Sequence, residues 1–219
     1  MMKSAAVIPG YNVSKTIGEV VRRTLPMVDQ VIVVDDGSQD NTAEVARESG
    51  ALTITLEENT GKANATRVGL RRCEGFDVVV TLDGDLQHCP EEIPALIEGV
   101  MDGAQLCIGS RFFNDHSSMP FGSRFSNRVA SWIISLLAGQ RITDPQSGFR
   151  ALDGRIVPEL ELRAERYAIE HVMILEAARK GFTIKEVPIS CIYGSEQSNV
   201  RVLQDTCRVV YDILRFISR

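Results

Sequence analysis

Short apolar runs alternate with amphipathic stretches through the first half of the chain. Residues 5–8, 31–34, 52–56, 78–82 and 106–109 are short, largely apolar stretches, so each is expected as a strand, 31–34 as a buried one. Between them the period becomes helical. Ile17, Val20, Val21 and Leu25 follow Ser14, an expected N-cap, and Pro26 closes the segment. Asp40 is the expected cap of a helix over 42–49, and Gly50 sits where a helix C-terminus favours glycine. Pro90 opens a further helix at its first turn. Unbroken apolar strands alternating with helices imply a mostly parallel sheet covered on both faces, an α/β fold.

The second half loses this rhythm. Residues 111–123 are polar and aromatic without a period, so a loop is expected there. A helix over 124–138 follows, with Trp132 assigned to the core, and then a turn cluster over 143–149 containing Asp-Pro-Gln-Ser-Gly. A helix over 167–180, a strand over 183–189, a loop over 193–199 and a last helix from Arg201 complete the pattern. No internal repeat or low-complexity linker divides the 219 residues, so one domain is expected, with residues 1–110 and 111–219 as halves of a single sheet.

Composition narrows the class. No run approaches the ~18 consecutive apolar residues of a membrane span, and the apolar stretch after Met-Met-Lys-Ser is too short for a signal peptide. Cys73, Cys89, Cys107, Cys191 and Cys207 are odd in number and contain no Cys-x-x-Cys pair. They fit small buried hydrophobes in a reducing compartment, so a cytoplasmic location is expected. The net charge of −5 is unevenly spread: residues 1–110 hold nine Lys/Arg against seventeen Asp/Glu, and residues 111–219 fifteen against twelve. An acidic first half argues against a nucleic-acid partner. A carboxylate-rich half followed by an arginine-rich half suits a metal beside phosphate groups.

The candidate chemistry starts from what is missing. Asp36 follows the second strand, where a dinucleotide-binding protein holds a ribose hydroxyl. Yet the first strand runs into Pro9-Gly10-Tyr11-Asn12 and carries no Gly-x-Gly-x-x-Gly, so that reading fails. A nucleotide site without a glycine-rich cradle needs another way to neutralise phosphate. Asp83-Gly84-Asp85 follows the fourth strand directly, and two carboxylates one residue apart can reach one divalent ion. Oxygen ligands, few in number, suit Mg²⁺ or Mn²⁺. A turn of solvated aspartates is the plainer alternative. Lys62, after Gly61 at a helix start, is placed to meet phosphate but lacks P-loop spacing. His88, His116 and His171 form no metal-spaced set, and Glu170 is either a buried, paired carboxylate or part of an exposed face. A nucleotidyltransferase or a non-catalytic nucleotide-binding module would share such a sheet. The first lacks its glycine-rich basic loop, and the second has no need of both aspartates.

Several segments taken in order resemble one family. They are Val7-Ile8-Pro9-Gly10-Tyr11-Asn12, residues 33–42 around Asp35-Asp36-Gly37-Ser38, Asn59-Thr60-Gly61-Lys62 and Asp83-Gly84-Asp85-Leu86-Gln87-His88. Gly109-Ser110-Arg111, residues 144–150 and Glu186-Val187-Pro188-Ile189 follow. Together they resemble family 2 glycosyltransferases of the GT-A fold, above all the dolichyl- or polyprenyl-phosphate sugar transferases. The resemblance implies a nucleoside-diphosphate sugar donor, a divalent metal and an inverting transfer. It assigns Pro9, Tyr11, Asp36, Gly84 and the Val34 backbone to the donor, and Asp83, Asp85 and Gln87 to Mg²⁺ or Mn²⁺. Arg111 would face phosphate. Two positions depart from the pattern. Val13 stands where a glutamate often helps bind the base, which leaves the base open, and Asn199 follows Ser198 where many members have lysine, with Arg201 as the nearby cation.

Charge decides what the acceptor demands. A phosphate-monoester acceptor is already anionic near neutral pH and needs little help from a base; Arg124, Arg128 and Ser147, with Ser198 and Arg201, are its candidate ligands. A hydroxyl acceptor, as in polysaccharide synthesis, needs a base, and Asp144 is the candidate. Arg201, Asp205, Arg208, Asp212, Arg215 and Arg219 form one charged stripe on an otherwise apolar last helix. That pattern implies cover by the core, by a partner subunit or by the lipid interface, and peripheral attachment to the cytoplasmic membrane face, helped by a small membrane partner, is expected.

Overall fold

The computed structural model describes residues 2–112, 121–162 and 169–190, with the side chains of 121–126 set aside. Seven strands form one sheet in the order β3-β2-β1-β4-β6-β5-β7. They are β1 (Ser4–Gly10), β2 (Gln30–Asp35), β3 (Leu52–Thr55), β4 (Val78–Thr81), β5 (Leu106–Ser110), β6 (Arg150–Asp153) and β7 (Ile184–Pro188). Helices α1 (Ile17–Thr24), α2 (Thr42–Glu48), α3 (Lys62–Arg71), α4 (Ile93–Met101), α5 (Phe121–Ala138) and α6 (Ile169–Arg179) connect and cover them.

Alternation along each strand splits the core into two layers. Ala5, Val7, Ile32, Val34, Leu106, Ile108 and Leu152 face α3, α5 and α6. Ala6, Ile8, Val31, Val33, Cys107 and Ala151 face α1, α2 and α4. Helices on both faces bury β1, β2, β4 and β5 almost throughout, which is why they read as unbroken apolar runs, whereas the edge strand β3 stays partly exposed. At Gly69 the α3 backbone comes so close to β1 that a Cβ would collide with the Val7 side chain.

Four expectations change. β6 runs antiparallel between β4 and β5, pairing Thr81 with Arg150 on one side and Ile108 with Arg150 on the other. Only Ala151 and Leu152 are apolar within it, so its strand character comes from its neighbours. Ser14 is not a cap: its N–H donates to Asp40 Oδ2 (3.1 Å), and Thr16 stands at the N-cap of α1. Trp132 is 70% exposed rather than core. The inner face of α5 is set by Asn127, Ala130 and Ile134, with the Ser131 and Ser135 hydroxyls donating to Ile142 O, and Trp132 projects from the opposite face. Asp40, too, is not the N-cap of its helix: that of α2 is Asn41, and Asp40 Oδ1 accepts from Thr42 N (3.0 Å) from one residue before the cap, while Gly50 after the helix takes φ +102°.

The topology places the site. From β1 the chain winds outward through β2 and β3 with α1 and α2 on one face. It then crosses through α3, on the other face, to β4 on the far side of β1. Winding reverses between β1 and β4, so the crevice at the C-terminal ends of these two strands is the topological switch point, where open α/β sheets bind ligands.

Candidate active site

The Asp83–His88 loop leaves β4 at that crevice. It is held from both sides: Thr16 Oγ1 donates to Gly84 O (2.6 Å), and Thr81 Oγ1 donates to Gly148 O (2.9 Å). A Cβ at Gly148 would lie 2.8 Å from Asp83 Oδ2 and 3.0 Å from Lys62 Nζ, so any larger residue there would push these two charged groups aside. Among the described residues, Asn12 (φ 53°) and Leu86 (φ 64°) are the non-glycine positions with positive φ, and both lie in loops at this crevice. Such backbone costs of order 1–3 kcal/mol and concentrates at functional sites.

Asp83 pairs with Lys62 at 2.6 Å, and Lys62 pairs on its other side with Glu170 at 2.7 Å. Burial works against charge on Asp83 and on Lys62. The Lys62 ammonium nonetheless outweighs it at Asp83, holding that carboxyl below its ordinary value, while the two carboxylates hold Lys62 above its own. Asp85 is pushed up by desolvation and then by the like charge of Asp83. Its Oδ1 accepts from Gln87 N at 3.0 Å, and both residues stand at the exposed mouth. His88 is buried against the Phe149 ring, centroids 5.1 Å apart, and among the described residues its Nδ1 has no hydrogen-bond partner. No cluster of three or more His, Cys, Asp or Glu is gathered for a metal among the described residues. The donor set is two carboxylates, adjacent, mutually repelling and opening onto space kept clear by Gly148. That fits an ion which takes few protein ligands and fills its shell with water and phosphate oxygens.

The donor candidates surround the same crevice. Pro9, one residue before the end of β1, pairs with the buried Val34 of β2, and Tyr11 is exposed in the following loop. Asp36 is buried and already occupied: Oδ1 accepts from Thr60 N (2.9 Å) and Thr60 Oγ1 (2.8 Å), Oδ2 from Gly61 N (2.7 Å). Its first effect is therefore to fix the turn that delivers Lys62.

The 144–150 turn behaves as a scaffold. Asp144 is fully buried, and Arg111 forks onto it, Nε to Oδ2 at 2.7 Å and Nη2 to Oδ1 at 2.9 Å, with Arg111 N adding 3.1 Å to Oδ2. The sequence suggested a base and a phosphate ligand; the structure joins them as a pair. Ser147 is buried, its Oγ accepting from Phe149 N (3.3 Å). Arg128 is exposed on α5, the Arg124 side chain and residues Ser198 and Arg201 lie outside the described residues, and so does the last helix.

Sequence reasoning underrated four residues. Glu170 is the buried, paired carboxylate of its two alternatives. Glu186 on β7 accepts from Thr143 N (2.9 Å), Thr143 Oγ1 (3.0 Å) and Asp144 N (3.0 Å). Arg150 is buried and spends its guanidinium on the carbonyls of Ser147 (2.8 Å), Pro145 (2.9 Å) and Glu170 (2.6 Å). Thr143 links Glu186 to Ser110, hydroxyl to hydroxyl at 2.6 Å. The signals were Glu170 in an otherwise apolar helix and the places of Arg150 and Glu186 in the segments that resemble the family.

Comparison with known proteins settles the family. The model of glycosyl transferase family 2 matches residues 5–156. The chain is a family 2 glycosyltransferase. This glycosyltransferase is 34% identical over 212 residues to the UDP-N-acetylglucosamine–dolichyl-phosphate N-acetylglucosaminyltransferase of Methanococcus voltae, covering 85% of this chain and 84% of that protein. It is 31% identical over 230 residues to the dolichol-phosphate mannosyltransferase of Pyrococcus furiosus, covering 100% of this chain and 63% of that one. Among solved structures, glucosyl-3-phosphoglycerate synthase from Mycobacterium tuberculosis, crystallised with Mn²⁺, UDP and glucosyl-3-phosphoglycerate, superimposes with a TM-score of 0.79. At 24% identity, over 98% of this chain and 79% of that one, it establishes the GT-A fold for this glycosyltransferase.

Proposed function

We propose that this enzyme transfers a hexose, with inversion, from a nucleoside-diphosphate sugar to a polyprenyl phosphate, using Mg²⁺ or Mn²⁺. The observation that carries the proposal is the Asp83–Asp85 pair at the mouth of the switch-point crevice, two carboxylates whose mutual repulsion a cation would relieve. Asp83 and Asp85, with Gln87 beside them, would hold the ion, and a bound ion supplies positive charge to the departing diphosphate. Pro9, Tyr11, Val34, Asp36 and Gly84 line the donor side. The relatives named for dolichyl-phosphate acceptors supply the acceptor class.

The Arg111–Asp144 pair supports a phosphate acceptor. Both oxygens of Asp144 are held by a guanidinium, the arrangement of a positioning pair and not of a proton acceptor. A phosphate monoester attacks without a base. Arg111 remains at the crevice, held in one orientation by Asp144, where it can meet phosphate. Arg124, Arg128, Ser147, Ser198 and Arg201 would then be the residues that receive the acceptor headgroup. No described helix is long and apolar enough to cross a membrane. The 201–219 segment, amphipathic in its sequence, is the candidate for peripheral contact with the membrane or a small membrane partner. A thermal-shift screen of UDP-, GDP- and dTDP-sugars, with Mn²⁺ and with chelator, tests the donor half of the proposal. One nucleotide class should stabilise the protein only when metal is present; stabilisation by none of them, or equally in chelator, would overturn it.

A further inference from the structure

Lys62 stands between two carboxylates that reach it from different elements. Asp83 arrives from the loop after β4 and Glu170 from the first turn of α6, at 2.6 and 2.7 Å from the same Nζ. The partners are unequal. The Glu170 side chain is 9% exposed against 27% for Asp83, and its residue is further fixed because its carbonyl accepts from Arg150. Asp83 opens towards the mouth, and Gly148 leaves space beside its Oδ2. An ammonium has three donors on a flexible four-carbon stem, so it can give up one carboxylate while keeping the other.

We propose that Lys62 is a resident counter-ion that competes with the divalent metal for Asp83, and that Glu170 is the seat holding its ammonium when the metal takes Asp83 over. The inference rests on the metal-dependent reading of the site above. Two cations cannot share one carboxylate without repelling each other, so the nucleotide-free protein should hold its ion weakly. A donor diphosphate brings anionic oxygens to both cations at once. Ion and nucleotide should therefore bind cooperatively, each raising the affinity of the other by the same factor.

The two partners of Lys62 then make opposite predictions. Lys62→Met combined with Glu170→Gln removes the competitor without leaving the buried Glu170 carboxylate unpaired. It should tighten Mn²⁺ binding to the nucleotide-free protein by about tenfold, the factor that 1.4 kcal/mol corresponds to. Glu170→Gln alone leaves Lys62 with Asp83 as its one anionic partner of the two and should weaken Mn²⁺ binding severalfold. A merely structural lysine would loosen Asp83 when removed, so both variants would bind more weakly.

The test is a Mn²⁺ titration of the full chain by electron paramagnetic resonance, without nucleotide and then with UDP or GDP, alongside thermal melts. Tighter binding by the double variant and weaker binding by Glu170→Gln are the expected results. Equal or weaker binding by a folded double variant overturns the proposal. Should the methionine variant lose its cooperative melt, Lys62→Gln/Glu170→Gln carries the same test through neutral amides. Failure of the wild-type chain to bind Mn²⁺ even with UDP and GDP overturns the metal-dependent reading itself, and this proposal with it.

Discussion

Replacing Asp144 by asparagine separates a positioning carboxylate from a catalytic base. In the wild-type protein its buried oxygens accept Arg111 Nε at 2.7 Å, Nη2 at 2.9 Å and N at 3.1 Å. Asparagine keeps one acceptor and turns an amide donor towards a guanidinium donor. The Arg111 side chain, 17% exposed, loses the carboxylate that its Nε and Nη2 both meet. One lost charge-assisted bond is worth about 1.5–3 kcal/mol, and breaking a buried pair from one side costs about 3–5 kcal/mol. For a chain of this size that lowers Tm by roughly 6–20 °C. Turnover should fall because Arg111 is no longer held. The acid limb of the kcat/KM profile should stay where it is, since no proton is lost to Asp144. Thermal melts and a pH–rate profile of Asp144→Asn are the assay. A variant that melts like the wild type but has lost the acid limb would refute this reasoning and make Asp144 the base for a hydroxyl acceptor.

Other perturbations test separate parts of the molecule. Asp85→Asn removes a like charge beside Asp83, so Tm should hold or rise while transfer is lost; wild-type turnover by this variant, or by wild type in excess chelator, would sink the metal site. Burial holds the His171 imidazole down at about 4, with Glu170 opposing and Arg150 adding. The unfolded chain takes up that proton below about pH 6.5. Stability is therefore full above that pH and falls as pH drops towards 4, by up to about 3 kcal/mol. His171→Leu should flatten this dependence in urea melts; an unchanged slope assigns it to other groups. Trp132→Ser should shift stability by less than ~0.5 kcal/mol because the side chain is largely in solvent. Ile134→Ala, two residues on but fully buried, should cost about 2–5 kcal/mol. Equal costs would place the α5 core face wrongly.

What was legible in the sequence follows from what each signal encodes. Strands buried on both faces must be apolar throughout, so β1, β2, β4 and β5 stood out. Arg150-Ala151-Leu152-Asp153 carries no such pattern, because pairing on both sides makes it a strand and its terminal charges serve other turns. Helical period placed α5 but not its inward face, which the hydroxyls of Ser131 and Ser135 help choose by bonding to Ile142. Asp83 and Asp85 were readable because they are adjacent in sequence at a strand end. Their cation Lys62 and its second partner Glu170 come from distant helices, and no local spacing joins them. The same holds for Glu186 and Thr143: their hydrogen bonds exist only because β7 lies beside β5 in the sheet.

The central claim is sugar transfer to a lipid phosphate, and the most direct measurement offers both chemical forms of one acceptor. The donor nucleotide-sugar selected by thermal shift is incubated with a short polyprenyl phosphate or with the matching polyprenol, with Mg²⁺ or Mn²⁺ and again in chelator, and the lipid product is followed by mass spectrometry. A glycosylated polyprenyl phosphate, formed with metal and absent with the alcohol, is the expected result. Glycosylation of the alcohol in preference to the phosphate, or of the phosphate at full rate in chelator, would contradict it.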